Sequence, residues 1–333
     1  MVGDIGGSAV GKLIVMVLGL AFSGYLHACP KLLYMALNYN TENDAIDAQY
    51  WGKTVGVQGA FISYLMTYWT TNVGAVPTSL WKGAKTFQQT YARYGVTDNF
   101  IKVSIFSNLD WNDPNVVNQY VTNFGNLAKL ARYAGFKGIA LDLEPYSSAW
   151  GGVAGGNQQI VQAAGVSIGQ AMYQAYPNMT LIVLPDVVYE YSVTQDLTLS
   201  TGGYALSIPF VTGLFTQPWK RVIMATEGTY RASPASIVNW VNVAYSDYNG
   251  MFVPGQFPFS VAPGIWPLGV SITDKSAVMS VDQFQQNLAT DYTVTNSYVW
   301  IFGMGTAWQS DKYGSVVSNF PEYTSVVQNA CAR

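Results

Sequence analysis

Eight short apolar segments recur along the 333-residue chain, and each is followed by a longer, more polar stretch of helical character. These segments are almost continuously hydrophobic, which is typical of parallel strands that are covered on both faces. They comprise residues 33–37, 57–64, 101–106, 138–143, 181–184, 222–225, 265–272 and 298–302. Eight such strand-and-helix units predict an α/β fold, a closed (β/α)8 TIM barrel that forms a single domain.

The stretches between the predicted strands support this architecture. Residues 116–135 place apolar side chains at helical spacing and stop at Gly135, which predicts a helix with a glycine C-cap. Residues 282–292 predict a second capped helix. An open doubly wound sheet is the competing fold, but no glycine fingerprint follows the first strand.

The N-terminal region contains a 12-residue apolar run, residues 13–24, behind the single basic residue Lys12. This run is short for a membrane span and has the length of a signal-peptide core. We therefore expect residues 1–28 to be a signal peptide, residues 29–333 to be the barrel domain, and the protein to be secreted, extracellular or periplasmic. The residues before Cys29 also resemble a lipobox, so a lipid anchor on Cys29 is one alternative. A buried N-terminal helix or strand is the other.

The two cysteines, Cys29 and Cys331, lie at opposite ends of the chain. In a closed barrel the first strand begins and the last helix ends on the same face. The positions therefore predict a disulfide bond that joins the two ends in an oxidising compartment, although two unpaired thiols are the alternative.

Composition excludes several function classes. Only 11% of the residues are charged, the net charge is −3 and there is no basic run, which argues against a nucleic-acid partner. The sequence contains neither a P-loop motif nor a dinucleotide-binding motif, which argues against a nucleotide ligand. The only histidine, His27, lies in the predicted signal peptide, which excludes His-dependent nucleophile systems and ordinary zinc sites. We expect no metal, no cofactor and a monomer that acts on carbohydrate, because glycoside hydrolysis needs only a pair of carboxylates.

The strongest candidate pair lies on the predicted fourth strand, in residues 135–146 (GFKGIALDLEPY). Side chains alternate between the faces of a strand, so Ala140, Asp142 and Glu144 share one face, and the apolar residues between them share the other. The acids would project inward at the carboxyl end, where barrel enzymes keep their active sites. Their mutual repulsion would raise at least one pKa and prepare a proton donor. An ion pair with a neighbouring strand, or an acidic metal-binding rim, is the alternative.

Residues 136–144 (FKGIALDLE) resemble the fourth-strand signature of chitinase-type family-eighteen barrels, Asp-Gly-x-Asp-x-Asp-x-Glu. The resemblance implies that Glu144 is the acid and that Asp142 orients a substrate acetamide. Lys137 and Ala140 stand in the positions of the other two aspartates. Most of the chain after Leu32 is also similar to secreted barrel proteins of glycosidase type, through GFKGIALDLEPY, TEGTYR, GIWPLGV and YVWIFGMGTAW.

A second carboxylate, Glu227, follows the predicted sixth strand on the same face as Ala225. Glu227 is our candidate nucleophile, because a retaining mechanism needs two carboxyl groups about 5 Å apart. A structural ion pair with Arg231 or Lys220 is the alternative. Asp186 and Glu190 are the reserve candidates, and Asp110 and Asp113 are interpreted as loop acids or helix caps.

Aromatic and polar residues near the carboxyl ends of the strands are candidates for sugar binding, because flat sugar faces stack on indole rings. The candidate substrate-binding residues are Trp69, Trp111, Tyr146, Trp150, Asp186, Tyr230, Trp266 and Trp308. Three functions remain open. They are a retaining glycosidase that uses Glu144 and Glu227, an acetamide-assisted hydrolase that needs only Asp142 and Glu144, and a non-catalytic carbohydrate-binding or cell-surface barrel.

Overall fold

The chain folds into the predicted (β/α)8 barrel. The computed structural model describes residues 29–38, 44–63, 65, 78–104, 110–144, 158–185, 206–251, 256–268, 278–303 and 320–330. Within these ranges eight parallel strands pair in chain order and close between the first and the last. The strands are β1 Lys31–Asn38, β2 Gly59–Ser63, β3 Phe100–Ser104, β4 Gly138–Asp142, β5 Thr180–Leu184, β6 Arg221–Thr226, β7 Phe259–Ile265 and β8 Tyr298–Phe302.

Helices alternate with these strands. In the described ranges they are α1 Asp44–Gln49, α2 Thr78–Arg93, α3 Pro114–Ala134, α4 Gln158–Ala175, α5 Ser207–Leu214, α6 Pro234–Met251, α7 Val281–Val294 and α8 Phe320–Asn329. A short π-helix, Tyr50–Val55, continues from α1. None of the helices in these ranges is both long and apolar enough to cross a bilayer.

The two predicted helices are confirmed, together with their caps. The side chain of Asp113 accepts a hydrogen bond from the backbone N–H of Asn115 at 2.8 Å at the start of α3. Gly135 ends α3 with a φ of 88°, a left-handed conformation that favours glycine. Ser280 caps α7 through the backbone N–H of Gln283.

The seventh strand differs from the prediction. We expected residues 265–272, whereas β7 ends at Ile265 and begins six residues earlier. The observed strand contains Pro263 and Gly264, which normally argue against a strand interior. Gly264 is required here because a Cβ at this position would lie 2.7 Å from the ring of Trp300 on β8.

Alternation along the strands separates two apolar layers. One cluster consists of strand residues from all eight strands, so it fills the barrel interior. Its buried members are Leu33, Met35, Phe61, Phe100, Ala140, Ile182, Leu184, Ile223, Ala225, Ala262, Tyr298 and Trp300. Ile139, Leu141 and Leu143 face the opposite way, into the layer between barrel and helices. The faces predicted for the fourth strand are therefore those observed.

Polar groups occupy the amino-terminal end of the barrel. Lys31 Nζ lies 2.7 Å from Asp98 Oδ2, and the hydroxyl of Tyr298 donates to the same oxygen at 2.7 Å. Burial raises the pKa of Asp98, but the hydrogen bonds and the positive charges of Lys31 and Lys137 outweigh it, and the pKa is lowered. This cluster supports the fold at the face opposite to the carboxyl ends of the strands.

The predictions for the two termini lie outside the described residues. Residues 1–28 and Cys331 are not described, so the signal peptide and the Cys29–Cys331 bond stay predictions.

Candidate active site

The fourth strand carries both predicted acids to the carboxyl-terminal opening of the barrel. Asp142 is the last residue of β4 and is fully buried, and Glu144 follows two residues later and is partly exposed. Both continue the face of Ala140, which lies in the barrel interior. One carboxyl group is therefore enclosed while its neighbour reaches the opening.

Asp142 forms an ion pair with a lysine on the neighbouring strand. Lys102 Nζ, from β3, lies 2.6 Å from Asp142 Oδ2, and the side chains are 5% and 0% exposed. The ion pair that the sequence left open as an alternative is thus present, although it involves one acid of the pair and not both. The lysine was missed in the sequence. Lys102 lies two residues after Phe100 on the same strand, so it shares the face of a residue that lies in the barrel interior, and this spacing could have indicated it.

Glu144 has a strongly perturbed carboxyl group. Burial raises its pKa, the negative charge of Asp142 raises it further, and the positive charge of Lys102 lowers it, with a resulting value of about 7. The backbone N–H of Glu144 donates to Asp142 Oδ1 at 3.1 Å. Glu144 can therefore hold a proton at mildly acidic pH, as a general acid must.

Glu227 follows β6 and is partly exposed. It continues the face of Ile223 and Ala225, which lie in the barrel interior, as the alternation predicts. The hydroxyl of Tyr230 donates to Glu227 Oε1 at 3.0 Å, and the Tyr230 backbone N–H donates to the Glu227 carbonyl at 3.0 Å. A one-turn loop thus fixes the carboxylate and the tyrosine together.

Tyr230 links Glu227 electrostatically to the acids of β4. Burial raises the pKa of Tyr230 well above its usual value, and the charge of Glu227 and its hydrogen bond raise it further. The charges of Glu144 and Asp142 act in the same direction. Tyr230 is therefore near enough to sense all three carboxylates, and they belong to one opening of the barrel.

An aromatic cluster surrounds Tyr230. Its ring stacks on Phe302 with centroids 5.3 Å apart and packs edgewise on Trp300 at 5.1 Å and on Trp266 at 5.6 Å. Trp266 is partly exposed, and its indole N–H is buried without a hydrogen-bond partner among the described residues.

Trp111 is placed differently from the prediction. It is 1% exposed and packs against Tyr120 and Phe210 at 6.4 and 5.8 Å, in the layer between barrel and helices. A side chain enclosed in this way cannot present a face to a sugar, so we remove Trp111 from the candidate substrate-binding residues.

The other candidates lie outside the described residues. These are Trp69, Tyr146, Trp150, Asp186 and Trp308, together with the reserve candidate Glu190. Over the ranges that the structure does describe, no group of three or more His, Cys, Asp or Glu side chains could hold a metal ion.

No protein-family model matches the chain, and no curated protein matches its sequence. Solved structures do resemble it. An exo-β-1,4-mannosidase from Opitutaceae bacterium strain TAV5 has a TM-score of 0.55 at 11% identity, over 91% of this chain and 59% of its own. A chitinase from Bacteroides thetaiotaomicron has a TM-score of 0.52 at 11% identity, over 91% and 97%. A chitinase from Chromobacterium violaceum has 0.50 at 11%, over 92% and 100%.

The chain thus spans about three fifths of the length of the mannosidase and nearly the whole of each chitinase. At this level of identity the likeness establishes the fold. The chain has the TIM-barrel fold found in these glycoside hydrolases.

Proposed function

We propose that the protein is a glycoside hydrolase in which Glu144 is the general acid. One observation carries the proposal: the Glu144 carboxyl, with a pKa of about 7, lies at the carboxyl-terminal opening of a barrel. An ordinary glutamate is almost fully ionised near neutral pH and makes a poor proton donor. Glycosidic oxygen leaves readily only when it is protonated, so a donor of this kind is the main requirement of the reaction.

Glu227 is the proposed nucleophile. The hydrogen bond from Tyr230 stabilises its charged form, which is the form that attacks an anomeric carbon. In the first step Glu144 protonates the departing oxygen while Glu227 bonds to the sugar. In the second step Glu144, now a carboxylate, takes a proton from water while the water oxygen bonds to the anomeric carbon and displaces Glu227. Glu144 is then protonated and Glu227 ionised, as at the start. This sequence retains the anomeric configuration and needs no cofactor.

An acetamide-assisted reaction is the second candidate, and the resemblance of residues 136–144 to the chitinase-type signature favours it. The contacts of Asp142 weigh against it. Oδ2 is paired with Lys102, Oδ1 accepts the backbone N–H of Glu144, and the side chain has no exposed surface. An aspartate that orients a substrate acetamide has to reach the substrate, so the reaction with two carboxylates is the better supported of the two.

The test is an activity screen of the purified protein on a polysaccharide panel that begins with β-1,4-mannan and chitin, after the names of the similar structures. Glu144→Gln should abolish hydrolysis without changing the fold. Glu322→Gln, the same change at an exposed site on α8, is the matched control and should keep full activity. An active, folded Glu144→Gln protein would contradict the proposal. Proton NMR of the first product anomer then distinguishes retention from inversion.

We also propose that the chain is exported and loses residues 1–28. The mature protein would then be a monomer that contains a Cys29–Cys331 disulfide bond. Cys29 lies two residues before β1, and α8 ends two residues before Cys331, which supports a bond at the amino-terminal end of the barrel. The intact mass of the secreted protein, with and without reductant, tests cleavage and bond together. A mass increased by lipid would indicate the anchor instead, and sedimentation would give the oligomeric state.

A further inference from the structure

A lysine inside a barrel lumen is unusual because a buried ammonium must be paired. Lys102 lies on β3 in register with Ala140 of β4. The small side chain of Ala140 leaves room in the lumen for the four-carbon stem of Lys102, whose ammonium then reaches Asp142, two residues further along β4.

The carboxylate of Asp142 also contacts the backbone of Glu144, the candidate acid. Lys102 holds Asp142 Oδ2, and Asp142 Oδ1 accepts the backbone N–H of Glu144 at 3.1 Å. The chain of contacts therefore runs from the ammonium through one buried carboxylate to the residue that carries the other carboxyl group. A displacement of Lys102 would be transmitted to Glu144 through these two contacts.

We propose that Lys102 is a positioning residue for Glu144: its ammonium keeps Asp142 as a buried carboxylate, so that the exchangeable proton of the two acids resides on Glu144. This inference rests on the proposed function and deepens it, since it names the group that decides which acid is the donor.

Electrostatics support this assignment. Two carboxyl groups that are two residues apart on one face repel each other when both are ionised, so the charge of Asp142 favours the protonated form of Glu144. Among the residues that the structure describes, the charged and titratable groups near Glu144 are Asp142 on its own strand, Lys102 on β3, and Glu227 with Tyr230 after β6. Lys102 is the positive group of this set, and it lowers the pKa of Glu144. The lysine thus selects the donor and also prevents its proton from being held too tightly.

The experiment follows the titration of the Glu144 carboxyl directly, by carbon NMR of the full-length protein labelled at glutamate Cδ. Glu144→Gln identifies the signal. Lys102→Met removes the charge and keeps the length of the side chain, and Lys102→Arg keeps the charge. Lys137→Met is the matched control, because Lys137 precedes β4 at the other end of the barrel and is half exposed.

In Lys102→Met the titration midpoint of Glu144 should be at least about one pH unit higher than in the wild type, because no positive charge then balances the two ionised carboxylates. In Lys102→Arg the midpoint should lie closer to that of the wild type, and in Lys137→Met it should not move. An unchanged midpoint in Lys102→Met would overturn the inference, even if stability fell.

If Lys102→Met does not fold, the double variant Lys102→Met, Asp142→Asn replaces it, because it leaves no uncompensated charge. The titration midpoint of Glu144 should then fall below that of the wild type. The charge of Asp142 raises the pKa of Glu144 by more than the charge of Lys102 lowers it, and the double variant removes both charges. A midpoint at or above the wild-type value would overturn the inference. None of these titrations requires activity, so a failure of the proposed hydrolase function is recognised separately.

Discussion

Raising the pH from 6 to 8 should remove the proton from Glu144 and with it most of the activity. With a pKa of about 7, Glu144 is about 90% protonated at pH 6 and about 10% at pH 8. The rate constant kcat/KM should therefore fall about tenfold over this interval, and about tenfold again for each further unit. With the ordinary pKa of 4.5, only about 3% would be protonated at pH 6.

The assay is kcat/KM from pH 4 to 9 on the best substrate of the panel, because this constant reports the ionisation of the free enzyme. The structure predicts an alkaline limb centred near pH 7. A limb centred near 4.5, or an activity that is level from pH 5 to 9, would refute the assignment of Glu144 as the acid. The stability of the protein at each pH, followed by circular dichroism, separates a loss of the proton from a loss of the fold.

Three other predictions concern residues in or around the barrel. Glu227→Ala should lower kcat by at least about a thousandfold and recover with azide or formate, which would occupy the vacated space and give a glycosyl product of inverted configuration. Near-wild-type turnover would exclude Glu227 as the nucleophile. Asp291 on α7 is fully buried, burial raises its pKa, and neither side-chain oxygen has a hydrogen-bond partner among the described residues. The wild type should therefore lose stability as the pH rises above about 4, and thermal denaturation should show Asp291→Asn to be more stable at neutral pH. Asp98 is the opposite case, because its pKa is lowered and its stabilisation disappears as the pH falls through that value. Asp98→Asn should lose roughly 1–3 kcal/mol at neutral pH in urea denaturation, and an unchanged midpoint would contradict this.

The arrangement around β4 followed from local rules. Alternation placed Asp142 and Glu144 beside Ala140, and the same rule placed Glu227 beside Ala225. Both results depend only on which residues of one strand share a face, which a sequence shows directly.

Features that depend on neighbouring strands were harder to predict. Lys102 could not be assigned to Asp142 without the register between β3 and β4, because alternation alone does not show which face of β3 points into the barrel interior. The position of β7 was missed because Pro263 and Gly264 argue against a strand interior, whereas the ring of Trp300 on β8 requires the glycine, a contact that the sequence does not show. Trp111 lies two residues before the α3 N-cap, Asp113, and the turn there carries its ring into the helix layer.

The most direct test of Glu144 as the general acid compares leaving groups in the Glu144→Gln protein. A general acid is needed when the departing oxygen is basic and is dispensable when the leaving group is already stable as an anion. The measurement is kcat/KM for wild type and variant on two glycosides of the same sugar, one with an alkyl and one with a dinitrophenyl leaving group. If Glu144 is the general acid, the variant should lose about a hundredfold or more on the alkyl glycoside and almost nothing on the dinitrophenyl glycoside. An equal loss on both, or no loss on either, would contradict it.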